Sequence, residues 1–214
     1  MSATRRTVLG ATAAAPLLAQ FTGTASAAAD DRWGTISGGW AEVRWTEQVQ
    51  AELGRLKAVV EAVAPARMVE DSRGQAVRFT APSGKGSLSL KHLPEAAGSG
   101  TMEGGIAIRT QAGGFRVVNP ESVLRDGVAS GRCVVNGVEV GHRSVFRCAL
   151  AEGLLTTDGA PAGRPLRVRI GEVPLRPTPE LLEVYSATFG TPVFTADTVV
   201  AYVTAEGLYT PPKP

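Results

Sequence analysis

The residues that could do chemistry in this 214-residue chain are few and scattered. There are two histidines, His92 and His142, and either imidazole could act as a base or a ligand near neutral pH. Neither lies in a pattern that completes a site. His92 follows a strand-like run and precedes Pro94, and His142 falls in a hairpin-like segment, so both read first as exposed loop residues. The acids that could pair for glycoside cleavage, Glu103, Glu121, Glu152 and Glu172, have no spacing that selects two of them. Metalloprotease, nucleophile-elbow, β-lactamase and Walker patterns are missing. Ser83-Gly84-Lys85-Gly86 lacks the spacing of a phosphate-binding loop and reads as a hairpin turn. No metal or cofactor is implied by these residues.

Two cysteines remain, Cys133 and Cys148. They lack the C-x-x-C spacing of a zinc site. A hairpin centred near Val140-Gly141 would set them opposite each other, and a disulfide there would add about 3 kcal/mol on the chain-entropy model. Asn136-Gly137 is a competing turn signal that would put them out of register.

An oxidised pair requires export, and the N-terminus reads as an export signal. Arg5 and Arg6 give a basic start, 11–21 is mildly apolar, and Ala25-Ser26-Ala27 is an A-x-A cleavage site. Adjacent arginines point to the twin-arginine route and its translocase. Pro16, Gln20, Thr22 and Gly23 interrupt the apolar run, far short of the roughly 20 residues of a membrane span. The expected organisation is a signal at 1–27, one β-rich domain at 28–209 and a Pro-rich tail at 210–214, secreted or retained in the cell envelope. Removing Arg5 and Arg6 leaves 20 basic residues against 20 acidic ones, so the mature chain carries no formal net charge. That argues against nucleic acid as a partner. Arg164, Arg167, Arg169 and Arg176 alternate with apolar residues and read as the wet face of a strand.

The elements that must position these groups are mostly short strands. Glycines, prolines and alternating Val/Ile patterns recur at close spacing, which predicts a mainly β domain, an antiparallel sandwich or barrel, with two helices packed on it. One helix is expected over 46–64, where Val49, Leu53, Leu56, Val60 and Ala64 share a face and Pro65 follows. The other is expected over 179–189. There Thr178 can cap, Pro179 suits the first turn and Gly190 can stop it, with Leu181, Leu182, Tyr185 and Phe189 facing inward.

Gly104-Gly105-Ile106-Ala107-Ile108-Arg109, then Gly113-Gly114-Phe115-Arg116-Val117-Val118-Asn119-Pro120 and Val123-Leu124-Arg125-Asp126-Gly127, resemble the β-core of HtaA-type haem-uptake domains. So does the run from Val173 through Pro179-Glu180 into a short helix. Such domains occur in exported proteins of high-GC Gram-positive bacteria, and the resemblance implies a secreted β-sandwich-like fold. The family's haem-ligating tyrosine near the domain start has no counterpart, since the first tyrosine of this chain is Tyr185.

With catalytic patterns missing, the first reading is a secreted, non-enzymatic binding or envelope-associated protein. Binding of haem or another small hydrophobic ligand is the alternative, with His92, His142 and Tyr185 as the possible ligand-binding residues. A hydrolase with a scattered site is the third.

Overall fold

In Ala41-Glu42-Val43-Arg44-Trp45 every second residue is apolar, and along a strand that places one chemical face on each side. The computed structural model turns this alternation into a barrel wall, with Ala41, Val43 and Trp45 inside and Glu42 and Arg44 outside. It describes residues 33–87, 97–123, 127–158, 164–190 and 192–212. The signal residues Arg5, Arg6, Ala25 and Ala27, His92 and the expected strand at Leu88 and Leu90 lie outside them.

The described residues contain twelve strands and two α-helices. In chain order these are β1 (Gly34–Trp45), α1 (Glu47–Arg55), β2 (Val59–Val63), β3 (Arg67–Asp71), β4 (Gly74–Ser87), β5 (Ala97–Glu103) and β6 (Gly105–Arg109). There follow β7 (Gly114–Val123), β8 (Val128–Val135), β9 (Val138–Cys148), β10 (Leu154–Thr157), β11 (Leu166–Pro177), α2 (Pro179–Phe189) and β12 (Ala201–Thr210). The order β7-β5-β4-β1-β12-β11-β9-β8 closes on itself through the β7–β8 ladder, giving an eight-stranded antiparallel barrel. Closure leaves the barrel strands no free edge.

Three strands divide one side between two partners. β4 pairs with β3 over Gly74–Arg78 and with β5 from Thr80 onward. β7 pairs first with β6 and then, past a bulge at Asn119, with β5. β11 pairs with β10 and then, past a bulge at Glu172, with β9. The run Asn119-Pro120 therefore bends β7 without ending it. Opposite that bulge, Gly104 turns β5 into β6 at φ 95°, and its carbonyl accepts from Asn119 N at 2.7 Å. A Cβ there would collide with Val63 O and Ala66 N, so only glycine fits.

The second helix forms as its local signals predict. Thr178 accepts from Leu181 N, Pro179 begins the helix, and Gly190 stops it. The first helix is shorter than the 46–64 expected. It ends at Arg55, and the chain passes through Lys57 at φ 50° into β2. Val59, Val60 and Val63 are β-branched and take a ladder with β6 in place of two more helical turns. Ser83-Gly84-Lys85-Gly86 is likewise corrected: it is no turn but the C-terminal part of β4, paired on both sides.

The expected disulfide is also corrected, since both cysteines are free. Asn136 and Gly137 have φ of 50° and 82°, the two positive values of a two-residue hairpin turn, and they set Val135 opposite Val138. Cys133 then faces Gly141, while Cys148 lies about 20 Å further along β9. A disulfide needs Cα atoms within about 7 Å.

Both helices leave the same end of the barrel. Trp45 and Leu175 each pair with Ala201, and α1 and α2 begin within a few residues of them. That coincidence of register puts two capping helices over one mouth. Val49 of α1 is buried in the core with Leu53 packed beside it, and Leu182 and Tyr185 of α2 pack on the same core as Val43, Trp45, Phe79 and Leu175.

Candidate functional site

Between the barrel wall and the two helices lies a cavity of about 220 Å³. Its wall is built from inward positions such as Val43, Phe79, Phe115, Val145, Val173 and Leu175, so nearly all of it is apolar. Val49 and Leu53 from α1, with Leu181 and Phe189 from α2, cover the mouth. Tyr185 stands edge-on to Phe189 and Phe194, with ring centroids 5.2 and 4.9 Å away.

Few polar side-chain groups line this space: Glu52, Tyr185, Ser122, Ser130, the thiol of Cys148 and the indole N–H of Trp45. Glu52 is 5% exposed. The Tyr185 hydroxyl donates to Glu52 Oε1 at 2.8 Å, and Arg55 grips both carboxylate oxygens, Nη2 to Oε1 at 2.7 Å and Nε to Oε2 at 2.6 Å. The hydrogen bonds from Arg55 hold the Glu52 carboxyl below the usual range, against the opposing effect of burial. Burial, and then the bond to Glu52, push the Tyr185 phenol well above its usual value. Burial pushes the Cys148 thiol up to about 11. Trp45 Nε1 is buried with no acceptor among the described residues, which offsets part of that side chain's packing energy.

Of the two described residues expected to bind a ligand, Tyr185 is placed at the cavity and His142 is not. His142 stands on the outer surface, 54% exposed, with Nε2 2.8 Å from Glu121 Oε1. Glu152 and Glu172 line an outer groove of about 540 Å³, and Glu152 is bound there by Arg176. Arg167 and Arg169 lie on the wet face of β11 as expected, beside Glu206. Sequence reasoning missed Glu52. The signal was present, since Glu52 adjoins Leu53 of the apolar stripe and Arg55 follows at i+3.

Among the described residues no cluster of three His, Cys, Asp or Glu could hold a metal ion, and no helix is long and apolar enough to cross a membrane.

No family model and no characterised protein matches this sequence. Among solved structures, the C-terminal domain of HtaA from Corynebacterium glutamicum is similar over 82% of this chain and 99% of its own, at 12% identity and a TM-score of 0.50. A domain-swapped dimer of a variant of that domain aligns over 95% of this chain and 99% of its own, at 11% identity and a TM-score of 0.43. The heme binding protein HtaB of the same organism aligns over 83% and 94%, at 9% identity and a TM-score of 0.38. At such identity, the likeness to the HtaA domain is one of fold.

Proposed function

We propose that this chain is a non-enzymatic binding protein that holds a small hydrophobic molecule inside its barrel. The apolar cavity beneath α1 and α2 carries this reading. An engineered apolar cavity of about 150 Å³ suffices to bind benzene, whereas drug-sized ligands take about 300–1,000 Å³. A space of about 220 Å³ therefore suits a flat occupant larger than benzene, of two or three fused rings. Titration with 1-aminoanthracene should give saturable one-to-one binding, read as a blue-shifted emission. Ala205→Leu, which adds three carbons at the cavity wall, should weaken it at least tenfold. Unchanged affinity in that variant would place the dye elsewhere and defeat the reading.

Haem is the occupant implied by the sequence resemblance, and the residues present do not fit it. A porphyrin is larger than most drug-sized ligands, and the cavity is smaller than those need. Iron takes tyrosine as phenolate and cysteine as thiolate, yet the surroundings of Tyr185 and Cys148 favour the protonated forms. Haemin titration should accordingly give no Soret shift that Tyr185→Phe abolishes; such a shift would establish the haem reading instead.

The twin-arginine signal at 1–27 completes the proposal by sending the folded domain out of the cytoplasm. Secreted protein should begin at Ala28, and joint Arg5→Lys and Arg6→Lys replacement should block export. Extracellular protein that retains Met1 would rule the signal out.

A further inference from the structure

We infer that the Glu52–Tyr185 pair selects the polar group of the occupant: the cavity takes an uncharged apolar molecule bearing a hydroxyl and rejects the corresponding carboxylate. This rests on the cavity being a binding site and adds which chemical class enters it.

The argument begins with charge. Glu52 is the ionisable carboxylate in the wall, and among the described residues no Lys, Arg or His lines the cavity. Its counter-ion, Arg55, reaches the carboxylate from the solvent side, with a side chain 61% exposed. A second carboxylate entering the cavity would lose its water and gain no cation, and would face a negative charge in a medium of low polarity. Ser122, Ser130, the Cys148 thiol and the Trp45 indole N–H, the other polar groups of the wall, are neutral and cannot offset that charge.

Hydrogen-bond accounting gives the second half. The proton of Tyr185 is engaged by Glu52 Oε1, so the phenol oxygen has only lone pairs left to offer. Glu52 Oε2 accepts from Arg55 Nε and has acceptor capacity to spare. The Glu52–Tyr185 end of the cavity is thus an acceptor surface. An occupant's hydroxyl, donating, satisfies it. A carboxylate, which only accepts, does not.

The test compares 2-naphthalenemethanol with 2-naphthoate, which share a ring system, by equilibrium dialysis against the whole chain at pH 7.5. The alcohol should bind at least about tenfold more tightly, a difference of about 1.4 kcal/mol. In Glu52→Gln, shown to be folded by circular dichroism, the gap should fall below about threefold. Tyr185→Phe keeps the carboxylate while removing one acceptor. It should weaken the alcohol several-fold and still reject naphthoate, which keeps the test decisive should Glu52→Gln not fold. Equal binding of the two probes to the native protein overturns the inference, as does a folded Glu52→Gln with the original preference. If neither probe binds but 1-aminoanthracene does, the selection proposed here is wrong and the cavity reading stands. If no probe binds, both fall.

Discussion

Two glutamates in this molecule are buried to nearly the same degree, Glu42 at 6% exposed and Glu52 at 5%, and the fold treats them differently. Glu42 lies on the outer face of β1. Arg44 Nη2 donates to its Oε1 at 2.7 Å, and Arg78 from β4 donates twice to Oε2, through Nε at 3.1 Å and Nη2 at 2.6 Å. Arg44 is fixed in turn by Asp71 and the Gly74 carbonyl, and Arg78 stacks over Trp40 at 4.5 Å. Glu52 has one arginine, from its own helix, and one tyrosine from α2. The first carboxylate is encircled by cations tying strands together across the sheet. The second is neutralised from one side and faces a cavity on the other. A buried acid therefore tells little until its counter-charges are counted and located.

The largest effect that tests this contrast is Glu42→Ala. Removing the carboxylate takes the partner of the partly buried Arg78, while Arg44 keeps Asp71, and should cost about 2 kcal/mol of stability, read by urea unfolding. Glu52→Gln should cost only about 1 kcal/mol, since its salt bridge is an i,i+3 pair with a largely exposed arginine. Equal losses would erase the contrast. Acid should sharpen it. For Glu42 burial raises the carboxyl value, and the hydrogen bonds from Arg78 and Arg44 outweigh it, leaving the folded value below the unfolded one. The stability from such a group is present above about pH 4.3 and is lost as pH falls through the lower folded value. The unfolding free energy of Glu42→Gln should accordingly vary less with pH below about 4.3 than that of the native protein. The smallest effect concerns another polar group of the cavity wall. The Cys148 thiol, at about 11, should react slowly with iodoacetamide at pH 8 and should slow further when 1-aminoanthracene is bound. Labelling that the dye leaves untouched would remove Cys148 from the occupied part of the cavity.

The parts of this structure that could be read from the sequence are those written in neighbouring residues. The second helix carries its cap, its first-turn proline and its stop glycine within thirteen residues, and it forms as expected. The expected first helix ran past the real one because Val60 and Ala64 continue an apolar spacing of 3.6, and only the edge of β6, far along the chain, gives Val59–Val63 a ladder to join. Antiparallel β structure was legible from alternation. Closure of the barrel was not, because it depends on β7 meeting β8 and on β1 lying between β4 and β12. The cysteines turned on two rival turns, and the dipeptide with two left-handed residues set the register. Tyr185 stood out as the first tyrosine of the chain. Glu52 did not, because a glutamate on a helix is ordinarily a solvated one, and its burial follows from two helices that leave the strands flanking Ala201.

The ladder between β1 and β12, running from Thr35 opposite Thr210 to Trp45 opposite Ala201, sets a clock on synthesis. A ribosome releases β1 early and β12 last among these strands. Until β12 emerges, β1 and β11 each lack a neighbour along their full length, and the mouth beneath the helices has no wall on that side. Contacts so distant in sequence close slowly. No nascent fragment ending before residue 201 can enclose the cavity, so the competent binding site comes into being in a single late event, after translation of the barrel is complete.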